Sequence, residues 1–493
     1  MTATHPSEPA DALPSDASVL VVGAGLAGLR TAALLREHGH AGPVHLVGAE
    51  PHPPYDRPPL SKHLLDDGWH VDLGDDLGID LGALGVEVRL GTRVTRIDVD
   101  GERFRATLAP VVGAPSGPGD ASVGLVVDAV VLATGSRPRT VAGWEHALTL
   151  HTHDDAARLR ELLGARARPR LVCVGAGWIG AEVAGVAAAA DADVTVVEAT
   201  PCPLASALGA DGALLAPWFA DAGVTLLLET SVAAVERGGV VLADGRRVDA
   251  DVVLAAVGAR PAPLPDGTLA DMLATTPEGD VVVDGGMRPL SLAAMPDGTD
   301  GPDAEPLATP VPHPPTSAGP LARVRVVGDA AVRRSRRGLV RGGHWDAALT
   351  TPGLAVRSLL DPGAEPDDPA PYVFSTMLGH EVALYGTRPA DAAPVLRGDP
   401  AGDEGWAALW FVDDEASGGT SGASGGTSGA ESSGTAATGT AGAGADDDGL
   451  RTLAGILVVD RPRDVAAARR LFRGTTLPRL DPARAADPTL PLR

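Results

Sequence analysis

What most constrains this chain is a glycine turn that occurs twice, each time between an apolar strand-like run and a helical pattern. VVGAGLAGLR places Gly23, Gly25 and Gly28 in a G-x-G-x-x-G turn, with Leu26 and Ala27 inside it. The first glycine permits the tight turn, the second lets the backbone approach a pyrophosphate, and the third lets the helix pack closely on its strand. Phosphates then sit at the helix N-terminus, where unpaired N–H groups and the dipole favour anions. Glu50 ends the next strand, where a carboxylate accepts hydrogen bonds from ribose hydroxyls. VGAGWIGAEVA repeats the arrangement with Gly175, Gly177 and Gly180, and VTVVE closes it with Glu198. The repeat is a duplicated strand–helix–strand unit rather than a short-period solenoid. Strands and helices alternate from Val19 onward, which predicts a doubly wound α/β fold with mostly parallel strands.

The residues after Glu198 are Ala199, Thr200, Pro201 and Cys202, without arginine or lysine. A 2′-phosphate needs a cation there and is repelled by the carboxylate, so the second turn predicts NADH over NADPH. The chain has 493 residues, room for roughly three domains. With aromatics at only 3 %, Ala, Val and Leu must build the cores. A net charge of -24 argues against nucleic acid, which needs a basic surface. Two cysteines, a polar acidic start and no apolar run near ~20 residues predict a cytoplasmic chain without disulfides or membrane spans. Two low-complexity stretches, 294–320 and 415–449, read as inserts, and the second as a disordered surface loop.

Three further segments add to the two turns. VVLATGSRPR (Val130 to Arg139) runs from a strand into a tight turn at Ala133, Thr134 and Gly135, and VVLAAVGARP (Val252 to Pro261) looks like its partner. VRVVGDAA places Asp329, beside Gly328, at a strand end suited to hold a ribityl chain. With PYDRPPLSK, which ends at Lys62, they resemble the NADH-dependent ferredoxin reductases of bacterial oxygenase and cytochrome P450 systems. That group shares the glutathione-reductase-like two-dinucleotide fold, and the resemblance covers almost all of the chain outside the inserts.

The resemblance implies two Rossmann-like domains, for FAD and NAD, with the second inserted in the first, and a small α+β C-terminal domain. The boundaries are a disordered tail at 1–16, an FAD domain at 17–143 and 259–362, an NAD domain at 144–258, and a C-terminal domain at 363–493. On the FAD side, Gly25 and its neighbours would hold the pyrophosphate, Glu50 the adenosine ribose, and Val94 the adenine through its backbone. Arg57 and Lys62 would face the flavin side, Ala133 to Gly135 and Arg139 would pass beside it, Asp329 would hold the ribityl chain, and Trp345 would lie near the pyrimidine edge. On the NADH side the matching positions are Gly177, Ile179, Gly180, Glu182 and Glu198, with Gly258 near the nicotinamide. Read without the resemblance, Lys62 suits a solvated lysine, Trp345 a packing residue and Glu182 an acid favoured by the helix dipole.

Hydride transfer between nicotinamide and flavin needs orientation more than acid–base groups. Lys62 would stabilise negative charge developing on reduction, and Glu182 would hold Lys62. Disulfide reductases of this fold carry a cysteine pair where PYDRPPLSK stands, and Cys173 on its apolar strand reads as inert. Electrons would therefore pass directly to an outside acceptor, most simply a small iron–sulfur ferredoxin. The stretch AVRRSRRGLVRGGHW carries Arg333, Arg334, Arg336, Arg337 and Arg341, a candidate basic patch for steering an acidic ferredoxin.

Four stretches depart from the family pattern: Gly343 stands for Glu, Thr351 and Pro352 for Gln-Gly, Phe374-Ser375-Thr376 for Trp-Ser-Asp, and His151 for Arg. They leave a quinone or dioxygen acceptor open, as well as an NADH-sensing role like that of apoptosis-inducing-factor relatives. The expected assembly is a monomer or homodimer.

Overall fold

The computed structural model describes residues 12–111, 122–292, 319–412, 449–474 and 476–493. Most of both expected inserts, and residues 1–11 of the expected tail, lie outside the described residues. The rest of that tail is anchored: Leu13 is buried and its N–H donates to the Leu359 carbonyl. The chain divides into two compact units, Met1–Val382 and Ala383–Arg493.

In the first unit a five-stranded sheet runs in the order Val324–Val326, Ala129–Leu132, Val19–Val22, Val44–Val47, Val86–Arg89. Every pairing in it is parallel. A second parallel sheet runs Thr225–Leu227, Asp193–Val197, Arg170–Val174, Val252–Ala255. The near-continuous apolar runs VLVV, AVVL and RLVCV explain this choice, since strands of parallel sheets are covered on both faces. Each sheet carries an antiparallel three-stranded appendage, at Thr92–Asp100, Arg103–Pro110 and Val123–Val127, and at Val232–Glu236, Gly239–Leu242 and Arg247–Asp249.

The chain leaves the first sheet through Ser136–Pro138 and returns through Ala259–Pro261, and these two short strands pair antiparallel. The second sheet is thus inserted into the first, with entry and exit tied together. The strand Tyr372–Met377, inside the segment assigned by sequence to the C-terminal domain, lies in the first unit. Close backbone packing holds it there, because a Cβ on Gly185 would fall 2.7 Å from the Leu378 nitrogen.

The second unit is α+β. Trp406–Val412 and Arg451–Val459 pair antiparallel, flanked by Val395–Arg397 and Arg479–Leu480. Arg397 is fully buried; it bonds the Asp464 carboxylate and the carbonyls of Ala485, Asp487 and Leu490. A buried guanidinium persists when its charge and its donors are matched in this way.

Candidate functional site

The first glycine turn is required by backbone contact. Gly23 has φ +113°, and a Cβ there would fall 2.1 Å from the Ala133 carbonyl oxygen. A Cβ on Gly28 would meet the Gly23 oxygen at 1.9 Å, so the helix Leu26–Glu37 sits against its own turn. Gly25 has nothing within 4 Å of its would-be Cβ. No side chain caps this helix and no acid lies in its first turn. Nearby, Thr134 holds a buried hydroxyl without a hydrogen-bond partner, between Ala133 and the left-handed Gly135. An open, uncapped helix end beside an orphaned hydroxyl suits an anionic pyrophosphate, so these residues fit FAD. Val94 is buried in the strand Thr92–Asp100.

Glu50 and Arg57 form one ion pair, Nη2 to Oε1, at 2.7 Å. Tyr55 donates its hydroxyl to the other Glu50 oxygen at 2.5 Å and accepts the His153 N–H at 3.0 Å. Burial, reinforced by the Glu50 carboxylate, pushes the Tyr55 phenol up, so it remains a neutral donor. Arg57 also donates to the His151 carbonyl. At that departure from the family pattern, burial and then the Arg57 charge hold the imidazole below its usual range.

Lys62 ends a short helix, Pro59–Lys62, and Glu182 lies in the helix Trp178–Ala189 that follows the second glycine turn. Their Nζ and Oε1 atoms are 2.5 Å apart, with side-chain exposures of 14 % and 4 %. Ser61 donates to Glu182 Oε2 at 2.5 Å, and Ser375 donates to Oε1. The two serines were missed in the sequence. Ser61 had a legible signal, its place between Leu60 and Lys62. Ser375 had two signals, its retained place in the Trp-Ser-Asp stretch and the strand alternation that turns it inward and leaves Phe374 and Thr376 exposed.

Asp329 accepts from Ser136 Oγ at 2.7 Å and from the Gly343 N–H at 2.9 Å. Gly343, at φ +102°, stands where the family pattern has Glu and supplies its backbone N–H instead. Thr351, another departure, accepts the Gly328 N–H at 2.9 Å and donates to the Ala347 carbonyl. Pro352 lies inside the helix Trp345–Leu360, where it removes one backbone donor. Trp345 is 40 % exposed, and its indole donates to Asp56 at 2.9 Å. Burial holds His344 below the usual imidazole range.

At the second turn, Gly175 has φ +104° and a Cβ there would lie 2.5 Å from the Ala256 oxygen. A Cβ on Gly180 would lie 2.0 Å from the Gly175 oxygen, while Gly177 faces open space. The helix Trp178–Ala189 has no side-chain cap, and Ile179 is exposed. This end too fits a nucleotide pyrophosphate. Glu198 accepts from the Ala176 N–H at 2.7 Å and from Thr200 N–H and Oγ1, each at 2.8 Å. Gly258 has φ +92° and its carbonyl accepts the Arg139 N–H at 2.9 Å.

The arginine stretch departs from expectation. Arg333 is buried against Asp368, and Arg337 has only 6 % side-chain exposure beside the same carboxylate. Arg336 bonds Glu365 at 3.0 Å, and Arg341 is held by Glu278 and Asp280. Burial against Asp368 takes Arg333 and Arg337 out of any steering surface, while Arg336 and Arg341 are half exposed and paired with surface acids. The sequence placed the arginines; their acids come from distant positions. Cys173 is fully buried and its thiol is pushed up to about 12, and Cys202 is buried as well. No helix among the described residues is long and apolar enough to cross a membrane.

A family model described as pyridine nucleotide-disulphide oxidoreductase matches residues 17–291, more than half of the chain. The biphenyl dioxygenase system ferredoxin–NAD(+) reductase component of Paraburkholderia xenovorans (strain LB400) is 34 % identical over 358 residues, 64 % of this chain and 81 % of that protein. The solved structure of Fdr9 is 32 % identical, covers 97 % of this chain and 99 % of its own, and has a TM-score of 0.71. The covalent putidaredoxin reductase–putidaredoxin complex shares the fold at 23 % identity, with 97 % of each chain covered and a TM-score of 0.73.

Proposed function

The chain belongs to the pyridine nucleotide-disulphide oxidoreductase family, and from that premise we propose that it moves a hydride from NADH to FAD and then single electrons to a ferredoxin-type acceptor serving an oxygenase or cytochrome P450. When bound, FAD supplies the conversion of a two-electron hydride into one-electron transfers. The protein supplies binding, orientation and charge. Residues 17–143 and 259–362 form the FAD domain in this reading, and 144–258 the NAD domain.

Gly23, Gly25, Leu26, Ala27 and Gly28 bind the FAD pyrophosphate at the first helix end, Glu50 holds the adenosine ribose, and Arg57, its ion-pair partner, faces the flavin side with Lys62. Asp329, fixed by Ser136 and Gly343, accepts ribityl hydroxyls. Gly175, Gly177, Ile179 and Gly180 hold NADH. Glu198 repels a 2′-phosphate, which sets the preference for NADH. The observation that supports the reading best is the Lys62–Glu182 pair, which joins the PYDRPPLSK segment to the helix of the second turn. At that junction Lys62 stabilises negative charge developing on reduction, and Glu182, held by two serines, orients Lys62.

Neither cysteine provides a dithiol relay, so an outside acceptor takes the electrons. The test uses purified holoprotein, NADH and a panel of iron–sulfur ferredoxins with cytochrome c as final acceptor. Ferredoxin-dependent reduction of cytochrome c is expected. Rates indifferent to every ferredoxin, with rapid consumption of quinone or oxygen, would replace this reading with a diaphorase or oxidase. Reduced protein that persists for minutes in air would replace it with an NADH sensor.

A further inference from the structure

Outside the cofactor site, His52, His153 and Asp154 bring one ligand atom each into a group no wider than 4.8 Å. His52 Nε2 lies 2.9 Å from Asp154 Oδ1, and His153 Nδ1 lies 3.3 Å from the same oxygen. The two imidazole rings are 4.3 Å apart at a 42° tilt. Trp69 and His70 wall the group, with ring centroids 4.7 Å and 4.8 Å from that of His153.

We propose that His52, His153 and Asp154 bind a divalent transition-metal ion of the zinc class. Tetrahedral zinc with bonds of ~2.0–2.1 Å has ligand–ligand edges of about 3.3 Å. The His153–Asp154 separation of 3.3 Å matches that edge, and the His52–Asp154 separation of 2.9 Å is shorter than it. Two imidazoles and one carboxylate form a donor set of zinc type, with a fourth position for water.

The position gives the ion a consequence. His52 lies just before PYDRPPLSK, whereas His153 and Asp154 open the helix His153–Gly164. An ion here clamps the segment carrying Arg57 and Lys62 to that helix. The His153 N–H already donates to Tyr55, which donates to Glu50, so the clamp stands one hydrogen-bonded residue from the first turn's acid. None of the three ligands belongs to the proposed cofactor machinery, so the site stands or falls separately from the proposed function.

The experiment titrates Co(II) alone, then Zn(II) as competitor, into FAD-loaded full-length protein, reading the cobalt d–d spectrum and the thermal midpoint. One tight equivalent with a tetrahedral-type spectrum, displaced by Zn(II) and raising the midpoint, is expected. Removing even an outer partner of a metal ligand costs roughly 10–100-fold in affinity, so His52→Ala and Asp154→Asn should each lose at least about that much. Asp154 is exposed and His52 half-buried, and an unchanged flavin spectrum identifies the folded variants. Absence of a d–d spectrum in the wild type would overturn the proposal. So would an unchanged spectrum and affinity in the His52→Ala/His153→Ala protein, because the ion would then be bound elsewhere.

Discussion

Replacing Lys62 by methionine removes the cation while keeping most of the side chain, and it isolates the contact on which the proposed chemistry rests. Exposed ion pairs contribute only ~0–1 kcal/mol, whereas stranding one partner of a buried pair costs ~3–5 kcal/mol. Exposures of 14 % and 4 % put this pair in the second class. Glu182 is not orphaned by the change, since the Ser61 and Ser375 hydroxyls still reach it. Each such bond to a charged acceptor is worth ~1.5–3 kcal/mol, so we expect the lower end of the range, about 3 kcal/mol. Adding Glu182→Gln leaves no buried charge: the amide oxygen accepts from one serine and the amide N–H donates to the hydroxyl of the other. The double variant should therefore recover about 2 kcal/mol, well beyond the ~0.5 kcal/mol scatter of independent sites. Denaturant unfolding of the holoproteins, compared at equal m, measures both quantities. Stopped-flow reduction by NADH runs beside it. A loss below ~1 kcal/mol for Lys62→Met, or strict additivity in the double variant, would refute the buried-pair reasoning. A full stability loss with unchanged NADH-driven reduction would keep the pair and remove Lys62 from the chemistry.

Other outcomes follow from the same geometry. Arg333→Ala removes the nearest cation from buried Asp368, which keeps Arg337, Ser335 and the Arg336 N–H, so it should cost about 3 kcal/mol, the lower end for a buried pair, while leaving the KM for ferredoxin in the surviving folded protein unchanged. A raised KM without destabilisation would restore the steering role. Like-charge contact at Glu198 should cost NADPH roughly 2–3 kcal/mol, or about 100-fold in kcat/KM against NADH, and parity between the two would refute this. His151 and His344 are both held low by burial, so the unfolded chain protonates first on acidification. Their contribution is complete above ~6.5 and is lost as pH falls below it, by up to ~1.4 kcal/mol per unit for each group. His344→Gln should flatten the decline of the thermal midpoint from pH 7 to 5; an identical decline would show that other groups cause it.

The parallel α/β architecture was legible because its signals are local. VLVV and RLVCV declare buried strands, and each glycine triplet declares its own turn through contacts with its own backbone or an adjacent strand. Lys62 and Glu182 were legible as a pair only through motif position, since 120 residues separate them. Ser375 was harder, because its place in a Trp-Ser-Asp-like stretch carries no mark of the carboxylate it will meet.

Charge was where local reading failed. Five arginines within one short stretch look like a basic surface, yet Asp368, Glu365, Glu278 and Asp280 neutralise four of them from outside it. The sequence alone determined the two glycine turns and their acids, because tight turns and strand ends depend on neighbours along the chain. Tertiary structure alone decided which charges face solvent, which serines hold Glu182, and that His52 meets His153 and Asp154. Burial and pairing are properties of distance in space, and segments far apart in sequence leave no local trace of that distance.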